Sequence, residues 1–268
     1  MKRFLTVIIA FALGLAACFG ARIKFNLPEG NKKPGEITVL FIGNSFTYYH
    51  DSEEMLKNIF ESQGISIRIG EYLKGGQTFG QHLQIPESRQ AVKGATYDFA
   101  FLQDQSVNPA RLIRDKDEQV LNDFLELRRN IIMKSPDCKV ILERTWSYSG
   151  KEAGGFGTKE ELEKNLVKGV KMMARKGHSW ISPIGEAFML VEKEHPEIKL
   201  LGKDDKHQSP EGSYLKACVN YLVITGKKFE GEPWNGDISP EVASILRNAA
   251  ERTVLGHEGR YRIRRERR

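Results

Sequence analysis

The sequence predicts an α/β protein: a parallel sheet with helices on both faces, built as one three-layer domain. Three observations carry that expectation. Short apolar runs alternate with amphipathic stretches from about residue 36 to residue 255, the pattern of successive strand–helix–strand units. Several of those runs end in turn-forming residues, as in Val39-Leu-Phe-Ile-Gly-Asn-Ser45. The chain has 268 residues, 40% of them hydrophobic and 28% charged, enough to bury a core of this size.

The elements follow in order. Residues 22–35 contain Pro28, Pro34 and several Lys and read as a linker. Strand one spans Glu36 to Ile42. Asp51 and Glu54 form a capping-box pattern before a helix with Met55, Leu56, Ile59 and Phe60 on one face, stopped at Gly64. Ile65, Ile67 and Ile69 alternate with polar residues as strand two, which leads into Lys74-Gly-Gly-Gln-Thr78 and a short helix through His82 and Leu83. Strand three, Tyr97 to Leu102, ends in Gln103-Asp-Gln-Ser106. A helix from about Asp115 to Met133 places Val120, Phe124, Leu127 and Ile131 together. Strand four covers Lys139 to Trp146, and a glycine-rich loop runs from Ser149 to Gly157. Thr158 and Glu161 open the next helix, which ends at Gly177. Strand five falls at Trp180 to Ile184 although Pro183 lies inside it, and a helix follows at 185–193. Ser209-Pro210 and Ser239-Pro240 each start a further helix, an N-cap followed by Pro at the first helical position.

The two ends carry the charge. Of the net +6, two charges come from Lys2 and Arg3, and four come from the six Arg less Glu258 and Glu266 after residue 256. The remainder is neutral, so the net basicity is no argument that the domain binds nucleic acid. Residues 257–268 read as a solvated basic tail. At the other end, Lys2-Arg3 precede an uncharged run from Phe4 to Ala17, the form of a signal peptide over 1–21. It closes Leu15-Ala-Ala-Cys18, which resembles a bacterial lipobox and marks Cys18 for lipidation. An ordinary signal peptidase site after Gly20 is the alternative. Either way the chain is expected to be exported, and the lipobox form places it in the cell envelope on a lipid anchor. Cys138 and Cys218 sit in apolar contexts and read as core thiols, with no metal-site spacing among the three Cys.

Strand carboxyl ends are where open α/β sheets bind ligands. Those of strands one, two and three carry Ser45, Gly75-Gly76 and Gln103-Asp-Gln105. Ser45 can be a nucleophile, Gly76 lets a backbone N–H approach a ligand, and either Gln can add an amide donor. Gly-Asn-Ser is also an ordinary turn, and the Gly and Gln residues are ordinary in loops. A base is needed as well. His178 and His195 border element ends and His257 is in the tail, whereas His50 and His82 fall near the proposed site edge. His207 follows Asp204 by three residues, so that a tight turn can set the carboxylate against one ring nitrogen and leave the other free.

Gly43-Asn44-Ser45, Gly76 within Gly-Gln-Thr, and Asp204-x-x-His207 together resemble the blocks of the SGNH (GDSL-like) hydrolases. The fuller strings Phe-Ile-Gly-Asn-Ser-Phe-Thr and Asp-x-x-His-x-Ser-x-x-Gly-Ser-Tyr-Leu-x-Ala are similar to an exported, uncharacterised bacterial branch of that superfamily. The resemblance covers about residues 36–255, giving a hydrolase domain over 36–256. It implies a flavodoxin-like α/β/α sandwich with a mostly five-stranded parallel sheet. It also implies ester hydrolysis by Ser45, His207 and Asp204 without metal or organic cofactor. The oxyanion would be held by the N–H groups of Ser45 and Gly76 and by Gln105, which stands where the family has the Asn of Gly-x-Asn-Asp. Gln103 is the alternative donor. Gln208 replaces a frequent Pro, a departure expected to be minor. An exported esterase would meet polysaccharide, so a glycan or small-molecule acyl ester, acetyl in particular, is the expected substrate. Tyr48, Tyr49, Trp146 and the glycine-rich loop would be the sugar-facing groups. A lipase or thioesterase, an acyltransferase, and a non-catalytic flavodoxin-like binding protein remain alternatives. The last lacks support from any Gly-x-x-x-x-Gly-Lys-[Ser/Thr] or Gly-x-Gly-x-x-Gly string.

Overall fold

The computed structural model describes residues 22–149, 153 and 155–264. The expected signal segment with Cys18, Gly150 to Glu152 and Gly154 of the glycine-rich loop, and the last four residues of the basic tail lie outside the described residues.

Six strands form one sheet: β1 (Ile23–Asn26), β2 (Ile37–Gly43), β3 (Ile67–Lys74), β4 (Phe99–Leu102), β5 (Lys139–Glu143) and β6 (Trp180–Ser182), in spatial order β1-β3-β2-β4-β5-β6. All neighbouring pairs are parallel except β1 with β3. Among the described residues ten α-helices accompany them: α1 (Ser45–Tyr48), α2 (Ser52–Ser62), α3 (Phe79–Gln84), α4 (Pro86–Gly94), α5 (Asn108–Arg114), α6 (Glu118–Lys134), α7 (Lys159–Lys176), α8 (Ile184–Glu194), α9 (Pro210–Thr225) and α10 (Pro240–Val254). One layer packs α2, α8 and α10 around α9, and the other joins α3, α4, α5, α6 and α7. Among the described residues no helix is long and apolar enough to cross a membrane.

The topology positions the site. From β2 the chain steps to one side to form β3, then crosses back over β2 to build β4, β5 and β6. The direction reverses at β2, and a crevice opens at the carboxyl end of such a strand. Register keeps the three neighbouring ends level: Gly43 lies beside Leu73, and Ile42 beside Leu102. The middle of β2 is apolar. Val39, Leu40, Phe41 and Ile42 are buried on both faces, as central parallel strands require, and Phe41 stacks on Phe101 with centroids 5.1 Å apart.

The structure departs from the sequence expectations in specific places. Residues 22–35, expected as a linker, contain β1, so the sheet has a sixth, antiparallel edge strand rather than five parallel ones. Its partner lies more than forty residues away, and two Pro nearby mask a four-residue strand. Asp51 does not cap α2. It sits in the left-handed region (φ 52°), and its carboxylate instead accepts hydrogen bonds from Arg22 (2.6 Å) and Lys24 (3.1 Å). β6 stops at Ser182, and Pro183 becomes the N-cap of α8, since its missing N–H suits a helix start and not a ladder. β5 ends at Glu143, three residues short of Trp146. Helices α4 and α5, each with Pro in its first turn, have no counterpart in the sequence reading. The basic tail packs in part. A 3-10 turn at Glu258–Tyr261 buries Tyr261, Ile263 is buried beside it, and Arg260 pairs with Glu186 at 2.7 Å. Those two apolar residues among the Arg give that stretch a face to bury. Cys138 and Cys218 are buried free thiols.

Candidate active site

Gly43 ends β2, and the chain turns sharply into α1. A side chain at residue 43 would have its Cβ 2.7 Å from Thr47 Oγ1 and 3.1 Å from Gln103 Oε1, so the close approach of β2 to its neighbours requires glycine. Asn44 then organises the turn. Its side-chain oxygen accepts from the Phe46 N–H at 3.1 Å as the N-cap of α1. Its Nδ2 donates to the Gln77 carbonyl at 3.0 Å and the Asp104 carbonyl at 3.3 Å. One buried amide thereby ties the loops after β2, β3 and β4 together. Ser45, the first residue of α1, is left half-buried at their junction.

The expected base, His207, comes from near the far end of the chain. Between the β6–α8 unit and α9, residues 202–208 form a tight loop closed by the Gly202 N–H to the His207 carbonyl at 2.8 Å. Asp204 Oδ1 accepts the N–H groups of Lys206 (3.1 Å) and His207 (3.0 Å), with Asp205 in the left-handed region between them. That turn aims Asp204 Oδ2 at His207 Nδ1 (2.5 Å), and His207 Nε2 lies 2.8 Å from Ser45 Oγ. Burial would raise the Asp204 pKa. The His207 ring and the two backbone N–H groups outweigh it, so the carboxyl is held below its ordinary value and stays ionised. With Asp204 accepting the Nδ1 proton, Nε2 is free to accept from the serine.

Packing holds the imidazole in that pose. Tyr49 stacks on it with centroids 4.2 Å apart and planes within 6°, and Phe46 tilts against it at 5.3 Å. Trp146 donates its indole N–H to the Lys206 carbonyl at 2.8 Å while its ring is stacked between Phe46 and Phe188. Trp146 is 2% exposed and Tyr48 is 6% exposed, so neither is the sugar-facing aromatic that the sequence suggested; Tyr49 remains half-exposed at the site.

The donors expected around an oxyanion lie on the segments that follow β2, β3 and β4. The Ser45 N–H opens α1 and has no acceptor among the described residues, and neither has the N–H of Gly76. Gly76 takes φ +72°, a conformation that glycine adopts without strain, which directs the loop after β3. Gln105 accepts the Val107 N–H on its amide oxygen at 3.0 Å, and its Nε2 has no acceptor among the described residues. Gln103 is different. It is 1% exposed, its Oε1 accepts from the Asn44 N–H (3.0 Å) and the Thr47 hydroxyl (3.2 Å), and its Nε2 donates to the Asp104 carbonyl. Both ends of Gln103 are engaged in the fold, so this alternative donor is corrected to a buried brace. Its strand-end position was visible in sequence, but its direction was not.

Several supporting residues escaped the sequence reading. Asp104 accepts the Phe79 N–H (2.9 Å), the Gln105 N–H (2.8 Å) and the Asn108 amide (3.3 Å), joining the loops after β3 and β4. Burial dominates and pushes its pKa up to about 7, against the lowering by those donors. Beneath α1, Lys216 and Glu143 form a fully buried ion pair at 2.5 Å. Removing one partner of such a pair costs about 3–5 kcal/mol. The signal for Lys216 was a single Lys in the apolar run Tyr214-Leu-Lys-Ala-Cys-Val219. His82 is fully buried, with burial pushing its pKa down to about 4, and its Nε2 donates to the Gly43 carbonyl at 3.1 Å, so it braces β2 as a neutral ring. His50 is exposed on the turn after Tyr49.

Neither a protein-family model nor a curated protein matches the sequence. Solved structures do match in fold. A DUF4886 family protein from Bacteroides uniformis is similar at 21% identity over 83% of this chain and 96% of that one, with a TM-score of 0.71. A candidate SGNH hydrolase from Slackia heliotrinireducens is similar at 19% identity over 69% and 97%, with a TM-score of 0.56. An acetylxylan esterase from Geobacillus stearothermophilus is similar at 18% identity over 73% and 96%, with a TM-score of 0.51. The chain has the α/β/α fold of the SGNH hydrolases.

Proposed function

We propose that the protein is a serine esterase that removes an acyl group, acetyl foremost, from a carbohydrate ester. The observation that carries the reading is the chain of hydrogen bonds from Ser45 through His207 to Asp204. In the first step His207 Nε2 takes the Ser45 proton as Oγ bonds to the ester carbonyl carbon. The carbonyl oxygen becomes an oxyanion facing the N–H groups of Ser45 and Gly76 and the Gln105 amide. The ester bond then breaks, and His207 returns the proton to the departing alcohol. Water repeats the sequence on the acyl-enzyme: His207 takes its proton, the acid leaves, and Ser45 is reprotonated. Asp204 remains ionised throughout and stabilises the imidazolium.

The carbohydrate part of the proposal draws on the acetylxylan esterase whose fold the chain shares. It also draws on Tyr49, an aromatic half-exposed against the base. The test is turnover of acetylated xylan and acetylated oligosaccharides beside aryl esters from acetyl to decanoyl. The proposal expects acetyl release that falls steeply with acyl length. A preference for long chains would replace it with a lipase reading.

A further inference from the structure

Gln208 follows the base directly and stands where the resembled family frequently has Pro. The structure gives it an unusual setting. It is fully buried, its Nε2 donates to the Phe46 carbonyl at 3.2 Å, and its Oε1 is buried with no hydrogen-bond partner. Phe46 is the residue after the nucleophile. The same carbonyl also receives Lys216 Nζ at 3.0 Å. Lys216 is anchored by Glu143, whose other oxygen accepts the Asn220 amide at 2.8 Å, and Asn220 in turn accepts the Ser182 hydroxyl at 2.6 Å. The Phe46 carbonyl is therefore a joint at which α1, the base loop and α9 meet.

We infer that Gln208 is a positioning residue that sets the Ser45–His207 distance through the Phe46 carbonyl, with Lys216 fixing that carbonyl from below. A buried amide with half its polar atoms unsatisfied is a poor stabiliser, because an unpaired buried acceptor costs more than a neutral hydrogen bond returns. A methionine there would fill the same space with nothing to satisfy. What glutamine adds over methionine is the one bond from the residue beside the base to the residue beside the nucleophile. Two covalent neighbours of the reacting pair, 162 positions apart in sequence, are joined by it. Lys216 is the less clean probe, since its removal leaves the buried Glu143 without its counter-charge.

This inference rests on the esterase reading, and the experiment separates the two. Wild type, Ser45→Ala and Gln208→Met are compared by the rate of fluorophosphonate labelling, by kcat and KM for an acetyl ester, and by thermal melting. Gln208→Met is expected to melt no lower than wild type and to keep KM, while kcat and the labelling rate both fall about 10-fold, the scale on which small misplacements of reacting groups act. A Gln208→Met protein with wild-type labelling and kcat overturns the inference and leaves the esterase reading standing. So does a loss of activity that only tracks a loss of folded protein. Wild type that does not label at all overturns the esterase reading itself.

Discussion

Replacing Asp204 by Asn isolates the electrostatic part of the relay. The Asn oxygen can still accept the N–H groups of Lys206 and His207, so the 202–208 turn survives. Its amide nitrogen, however, faces His207 Nδ1 where a carboxylate stood at 2.5 Å. A donor there forces the ring proton onto Nε2, and the imidazole then presents N–H, not a lone pair, to Ser45 Oγ. The lost attraction to the developing imidazolium adds to this. Two unit charges about 4 Å apart attract by about 1 kcal/mol in water and about 4 kcal/mol at an effective dielectric of 20. The Asp204 side chain is 48% exposed, so the lower half of that range applies, about 1–2 kcal/mol, or roughly 5- to 30-fold in rate. In a triad with a buried carboxylate the whole substitution costs about 10⁴ in kcat. The exposed setting here lowers the expectation to about 10²–10³, with KM unchanged. Steady-state hydrolysis of an acetyl aryl ester measures it, with circular dichroism confirming the fold. A kcat within about threefold of wild type refutes the assignment of Asp204 as the partner that orients the base.

Two other substitutions bear on the donors. Gln105→Ala removes the side-chain N–H from the proposed oxyanion site and should lower kcat by about 10²–10³; it also removes the acceptor of the buried Val107 N–H, so Tm is expected to fall slightly. Unaltered kcat would exclude Gln105 and leave the two backbone donors. Asp104 supplies a pH dependence. Its folded pKa of about 7 lies above its unfolded value, so between about pH 4 and pH 7 the folded state holds a proton that the unfolded state has lost. Its contribution to stability is complete below the unfolded pKa and is lost as pH rises through that window. Asp104→Asn should flatten the fall of Tm across those pH values, and parallel Tm–pH curves for the two proteins would contradict the assignment.

What was legible in the sequence was local. Gly43-Asn-Ser45 and the three-residue spacing of Asp204 and His207 are each confined to one turn, and the Gly43 close approach and the Asx-type turn at Asp204 follow from short-range sterics and hydrogen bonding. The central strands were legible for the same reason, as continuous apolar runs. What was hidden depends on partners far along the chain. β1 exists because β3 offers an edge, and Asp51 abandons its helix because Lys24 of that strand and Arg22 just before it reach the carboxylate. Gln103 and Gln105 are chemically equal in sequence. They differ because one points down at the Asn44 N–H and the other bends over Val107. Gln208 and Lys216 converge on the Phe46 carbonyl from opposite sides of a loop and a helix, a meeting that neither segment's own pattern encodes.

The central claim is that His207 and Asp204 make Ser45 a nucleophile. Intact-protein mass spectrometry after fluorophosphonate treatment tests it most directly. The account predicts a single stoichiometric adduct on wild type that peptide mapping locates to Ser45, absent from Ser45→Ala and slow to form on Asp204→Asn. An unlabelled wild type, or a Ser45→Ala protein labelled to the same extent, would contradict it.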